Sequence, residues 1–440
     1  MLKRMLLLAV AVLLAAVVVP VALAHDTPKG EAPDDSEEVM QWQREDRRPA
    51  QSMAPRTFEP CAGGKAGPFP CENVDLMSFL SLDEIGGGEG NDIWGWTDPQ
   101  TGEEYALMGL TNGTAFVNIS DPRRPEHLGN LPTRSEDSIW RDIKVHDDHA
   151  YVVSEAEGHG MQVFDLTKLR GLGERDRTFE ADAVYDEFST AHNVAINEDS
   201  GFAYAVGTDT CAGGLHMVDI QDPDSPEFAG CYAGDGYTHD TQVVNYRGPD
   251  EDYRGRELAF SSNEDTLTIT DVTDKANPEL ISRIPYVGAA YTHQGWLSPD
   301  QRYFYLGDEL DEIVLGHETR TRTFDLADLD DPLTTPKVYD AGTEAIDHNI
   351  YTKGDLVYQA NYRAGFRLLE AAPETDSGLR EVGFFDIYPQ DDEAEFNGAW
   401  SNYPYYDSGV VTVSGIEQGL FVLKPKPSVT QPPYRTQGGR

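Results

Sequence analysis

The sequence predicts an all-β chain folded as a seven-bladed β-propeller of four-stranded antiparallel blades, closed by an N-terminal strand that completes the last blade. Three observations predict it. The phrase Tyr237-Thr238-His239-Asp240 returns as Tyr291-Thr292-His293-Gln294 after 54 residues, which is room for about four short strands with their turns. Seven unit-opening positions, Asp92, Asp142, His192, His239, His293, His348 and Asn397, follow one another at intervals of 50, 50, 47, 54, 55 and 49 residues. The seventh unit turns to Lys424-Pro425-Lys426-Pro427 where its fourth strand should come, while an orphan strand, Leu76 to Ile85, stands upstream of the first unit.

The chain opens with a basic segment, Met1 to Arg4, an apolar run, Met5 to Val19, and the small-residue site Ala22-Leu23-Ala24. That pattern predicts a signal peptide over residues 1–24 and secretion, extracellular or periplasmic, with no transmembrane segment after cleavage. Residues 25–57 are rich in Asp, Glu, Arg and Pro without apolar periodicity, so they are read as an acidic disordered leader. The propeller is placed over 58–425 and a disordered tail over 426–440.

Within each unit a first strand leaves the opening residue, as in Asn193 to Ile196. A β-branched and aromatic second strand follows a turn, for example Ala150-Tyr-Val-Val-Ser or Tyr303-Phe-Tyr-Leu-Gly. A third strand, such as Leu215-His-Met-Val-Asp or Leu267-Thr-Ile-Thr-Asp, runs into an Asp/Pro turn, where the carboxylate accepts from turn amides and Pro presets φ. A short fourth strand, such as Glu279-Leu-Ile-Ser, closes the unit.

Four cysteines suit an oxidising compartment. Cys61 and Cys71 bracket a Gly/Pro-rich loop and are expected to close it. Cys211 and Cys231 lie equidistant from the turn at Gln221, which predicts a cross-strand disulfide. Lys+Arg 34 against Asp+Glu 77 gives a net charge of −43, which excludes nucleic acid and anionic lipid as partners. The charge suits either a salty habitat or an ordinary acidic secreted protein. A monomer is expected, with an extracellular ligand or protein as its partner.

First strands of a propeller line the central channel, so the opening residues and the loops between second and third strands converge on one rim. The candidate metal set is therefore His192, His239, His293, His348, Asp142 and Asp92, with Asn397 at the seventh position. The loops add Glu155, Asp209, Asn263, Glu264, Asp308, Glu309 and Asn361. Imidazoles with carboxylates suit Zn²⁺ or Mn²⁺, and carboxylates with carbonyls suit Ca²⁺. A metal with an open position would activate water and make a metal-dependent hydrolase of the lactonase or esterase type. The competing reading is architectural: a residue repeated at every blade entry can bridge neighbouring blades by hydrogen bonds. His159 and His317 are expected in solvated loops. Trp94, Trp96, Trp140, Trp296 and Trp400 lie near blade entries and either stack a carbohydrate or pack between blades. No G-x-S-x-G, P-loop or H-E-x-x-H occurs.

Asn73-Val-Asp-Leu, Gly90-Asn-Asp-Ile-Trp-Gly-Trp, Leu110-Thr-Asn-Gly-Thr, Trp140-Arg-Asp-Ile-Lys-Val, Tyr291-Thr-His-Gln-Gly-Trp, Asn361-Tyr-Arg-Ala-Gly and Ser414-Gly-Ile-Glu-Gln-Gly-Leu together resemble the choice-of-anchor B family, secreted bacterial proteins with LVIVD-type repeats. The resemblance runs from about Cys61 to Pro425. It implies an exported, often surface-attached protein and brings no established activity or catalytic residues. The sequence thus reads as a secreted or cell-surface binding protein, more readily than as an enzyme.

Overall fold

A computed structural model describes residues 56–173 and 177–430. The signal peptide, all but the end of the leader, and the tail from residue 431 lie outside the described residues. The described chain forms seven antiparallel sheets arranged as a seven-bladed β-propeller. In the first six blades the strands follow sequence order: Gly90–Thr97, Glu104–Leu110, Gly113–Asn118 and Glu126–Pro132 make blade one, and the pattern repeats. The first strands of neighbouring blades pack on one another and form the inner wall.

Burial follows from this stacking. Second and third strands are covered on both faces by adjacent blades, so Glu104–Leu110 and Thr266–Asp271 are buried at every position and read as continuous rather than alternating runs. Fourth strands are outermost, and in blades three and four Glu227–Tyr232 and Glu279–Pro285 are mostly exposed or half-buried. The ladder between third and fourth strands slips by one residue at the same level in five blades, at Phe116/Val117, Met217/Val218, Ile269/Thr270, Leu368/Leu369 and Leu76/Ser78. Such bulges raise local twist and bend the outer strand round its neighbour.

Closure follows the sequence reading and adds to it. Val74–Ser81 completes blade seven beside Gly419–Pro425, with Phe79 opposite Phe421. The orphan strand is shorter than expected, because Leu82–Glu84 turns away as a 3₁₀ helix under a capping box of Ser81 and Glu84. The leader's last residues are already engaged: Arg56 and Phe79 exchange two backbone hydrogen bonds of 3.2 and 3.0 Å. Unforeseen in the sequence, the hairpin Lys65–Ala66/Phe69–Glu72 attaches to the outer edge of blade six through Cys71↔Phe385, making that sheet six-stranded. The N-terminal segment therefore grips two blades. At the other end, Pro427–Thr430 forms a short helical turn within the stretch expected to be tail.

Both disulfides are present, Cys61–Cys71 and Cys211–Cys231. The second corrects its expected geometry: Cys231 lies opposite His216 in the ladder, and Cys211 sits in a 3₁₀ turn before the third strand. Equal spacing about the turn miscounted because Cys211 and Ala212 take left-handed backbone, with φ of 51 and 52°. Among the described residues, no helix is long and apolar enough to cross a membrane.

His159 is a further correction, since it is fully buried rather than solvated. Its Nδ1–H donates to the Gly160 carbonyl at 2.9 Å and its Nε2 accepts from Arg141 Nη1 at 3.0 Å. Burial, then the Arg141 charge, lower its pKa to about 4. The unfolded ring titrates near 6.5, so the unfolded state binds the extra proton between the two values. The contribution to stability is complete above about pH 6.5 and is lost as pH falls toward 4. Urea unfolding of wild type and His159→Gln at pH 7.5 and 4.5 should differ in pH dependence by up to about 3 kcal/mol.

Candidate functional site

Four imidazoles stand in contact around one arc of the channel. His192, His239 and His348 each precede the first strand of their blade, at Asn193–Asn197, Asp240–Asn245 and Asn349–Lys353. His293 is the residue skipped by the ladder between Thr292 and Gln294, so a bulge turns it inward. Successive ring centroids are 4.2, 4.1 and 4.3 Å apart from His192 through His239 and His293 to His348.

Blade-to-blade hydrogen bonds set the tautomers. His239 Nδ1–H donates to the His293 carbonyl at 2.9 Å, and His348 Nδ1–H to the Trp400 carbonyl at 2.5 Å. In each neutral ring the lone pair is then on Nε2. His192 Nδ1 meets Glu155 Oε1 at 2.5 Å. Glu309, from the loop after the second strand of blade five, lies between two rings: its oxygens are 3.7 Å from His293 Nε2 and 3.6 Å from His348 Nε2. The Tyr362 hydroxyl donates to it at 2.7 Å. Burial first, then the neighbouring imidazoles, holds His293 well below its ordinary value, and burial lowers His348 to about 3. Both rings are therefore neutral near pH 7, the form that binds metals. Ligand atoms of His239, His293 and Glu309 all lie within 4.8 Å of one another.

Asp92 and Asp142 are elsewhere, gathered about Lys144. Its ammonium is 2.5 Å from Asp142 Oδ1 and 3.7 Å from Asp92 Oδ2, and 4.6 Å from the Trp94 ring centroid. Each carboxylate also reaches the next blade, Asp92 accepting from Ile143 N–H at 3.4 Å and Asp142 from Val194 N–H at 2.7 Å. Burial drives the Asp92 pKa well up, whereas for Asp142 burial is outweighed by the Lys144 charge together with hydrogen bonds from Asp92, Lys144 and the Val194 amide, which hold the pKa down. Asp142 is the ionised partner of Lys144. Asp240, directly after His239, is pushed up to about 7 by burial against the pull of Lys144. Asn397 is an inter-blade connector: its Oδ1 accepts from Arg363 Nη2 at 2.6 Å and its Nδ2 donates to Glu417 at 2.5 Å.

Among the other loop residues, Glu155 and Glu309 face the histidines. Asp209 accepts from the Ser189 and Thr190 amides, Asn263 donates to Asp235, and Asn361 accepts from His348 N–H. Glu264 makes a bridge with Thr292. Asp308 accepts from the Tyr286 hydroxyl and the Ala290 and Tyr291 amides. The tryptophans divide. Trp94 and Trp296 line a cavity of about 650 Å³ at the far ends of the first strands, with Lys144, Tyr403 and Tyr405. Trp140 and Trp400 pack with Tyr291 and Tyr362 on the histidine side, and Trp96 stacks on Tyr105. Lys144 and Asp240 were not foreseen; their one signal was position, two residues after Asp142 and one after His239.

Among solved structures, the chain is similar to the β-propeller domain of Cps50 (Swd1) from Myceliophteria thermophila, at 12% identity and a TM-score of 0.49, covering 77% of this chain and 96% of that one. It is similar also to a protein from Lactobacillus plantarum, at 14% identity and a TM-score of 0.47, covering 74% and 88%. No family model matches the chain, and no curated protein matches it.

Proposed function

We propose that this chain is an exported β-propeller binding module of the choice-of-anchor B type, with a signal peptide at 1–24 and the propeller over 58–425, whose channel rim takes a divalent transition-metal ion on His239, His293 and Glu309. The approach of these three donors to within 4.8 Å carries the reading. Two imidazoles and a carboxylate suit Zn²⁺ or Mn²⁺, which accept mixed nitrogen and oxygen ligands. His348 and Tyr362, both in contact with Glu309, would fix the orientation of that carboxylate. Export is supported by the Ala22-Leu23-Ala24 site and the two disulfides. A hydrolase on the same rim is not favoured, since a substrate would have to reach donors that are only 3–4% exposed.

Elemental analysis of protein purified without chelator, followed by calorimetric titration with Zn²⁺ and Mn²⁺, tests the reading. One ion per chain is expected. His239→Ala combined with His293→Ala should weaken uptake beyond the ~10–100-fold typical of losing a residue that only hydrogen-bonds a ligand. Wild-type protein that neither retains nor takes up either ion would leave the four histidines as connectors between blades.

A further inference from the structure

A second group of donors lies at the junction of blades five and six. The loop after the second strand of blade five folds into a short helix, Asp311–Leu315, which brings Asp311 and Glu312 against Asp347, the residue before His348. Ligand oxygens of the three lie within 4.8 Å of one another. Asp311 and Asp347 are fully buried, and Glu312 is 4% exposed.

Hydrogen bonding leaves this group unsatisfied. Asp311 Oδ2 receives Arg322 and His317 Nδ1. Asp311 Oδ1, both oxygens of Glu312 and both oxygens of Asp347 have no hydrogen-bond partner among the described residues. Asp308, four residues upstream of Glu312, is the contrast: as described, an hydroxyl and two amides satisfy it. A buried carboxylate oxygen without a donor is costly, and several together are rare in folded proteins unless something positive binds there. The backbone also makes room: a Cβ built on Gly307 would fall 2.6 Å from Asp347 Oδ1.

We infer that Asp311, Glu312 and Asp347 bind a hard divalent cation, Ca²⁺ by preference, that clasps blade five to blade six. The donors are all oxygen, which selects against the softer ions suited to the histidine rim. Oxygens bound to one Ca²⁺ ion at about 2.4 Å each are at most about 4.8 Å apart, and the three ligand oxygens lie within that limit. Mg²⁺ demands a tighter octahedron and keeps waters, a poor match to clustered carboxylates.

Chelator-treated, full-length mature protein titrated with CaCl2 at physiological salt, with a parallel MgCl2 arm and thermal melts, gives the test. One saturable Ca²⁺ site per chain and a higher Tm with Ca²⁺ are expected. Asp347→Asn and Glu312→Gln should each weaken the site at least tenfold and remove the Tm rise. His239→Ala with His293→Ala should leave it intact, so this inference can fail independently of the histidine reading. If Asp347→Asn does not fold by circular dichroism, Glu312→Gln decides. The inference is overturned if wild type has no saturable site, or if the site survives both carboxamide substitutions and so belongs to another acidic group such as the half-buried Asp250 with the exposed Asp328 and Asp330.

Discussion

Phe79→Ala is expected to lower unfolding stability by about 3–5 kcal/mol, the usual cost of deleting a buried phenyl ring. Phe79 is 1% exposed, and its ring centroid is 4.6 Å from that of Phe421 in the last strand before the ring closes. Phe421 in turn meets Phe69 edge-on at 5.4 Å, and Phe69 meets Phe385 of blade six at 5.4 Å. These four rings fasten the N-terminal segment to both blades it grips. Removing Phe79 leaves a cavity there and weakens the one seam where the sheet circle joins chain segments some 340 residues apart. Urea unfolding followed by tryptophan fluorescence measures the loss. The exposed Asp83→Ala, beside the same strand, should stay within about 0.5 kcal/mol of wild type.

Arg363→Met should cost about 3 kcal/mol, through charge rather than volume. The Arg363 side chain is completely buried in the loop after the second strand of blade six. Its guanidinium donates to Asn397 through Nε and Nη2, and to Asp391 through Nη1 at 2.6 Å; it also pairs with Glu395 and lies 5.0 Å from the Tyr388 ring centroid. One side chain thus organises the connection from blade six to blade seven. Asp391, Glu395 and a third partner, Glu393, remain 25–59% exposed, so the effect belongs at the low end of the 3–5 kcal/mol usual for breaking a buried pair. Arg363→Lys keeps the charge but not the fork to Asn397, and should fall between wild type and Arg363→Met in the same urea series.

The ring was legible because a repeat announces itself in one dimension. Asp92 through Asn397 mark seven entries, and blade seven's missing strand pointed straight at Leu76. Where the chain leaves the repeat, the sequence had no ruler. The hairpin on blade six rests on Cys71 meeting Phe385, a pairing between segments with no shared phrase. For the site, spacing brought the four histidines to one rim but could not separate them from Asp92 and Asp142, because residues at equal sequence offsets take different depths once bulges such as that at His293 intervene. Arg141, Lys144 and Arg363 were overlooked because buried cations carry no periodic signature. Asp347 was hidden in plain view: it adjoins His348, yet only the fold brings Asp311 and Glu312 beside it.

The seam also has a direction. Val74 pairs with Pro425 and Ser81 with Gly419, so the upstream end of the closing strand and the downstream end of its neighbour lie at the same end of the ladder. Tension applied outward at Val74 and Pro425 would load that ladder one rung at a time, as a zipper opens, rather than shearing all its rungs together. The rung that takes the load first is reinforced from the side: Lys426 donates its amide to the Asn73 carbonyl at 2.8 Å and its ammonium to the Cys61 carbonyl at 2.7 Å. Under traction, the lock of this ring is therefore a single lysine leaning on a disulfide-bonded loop.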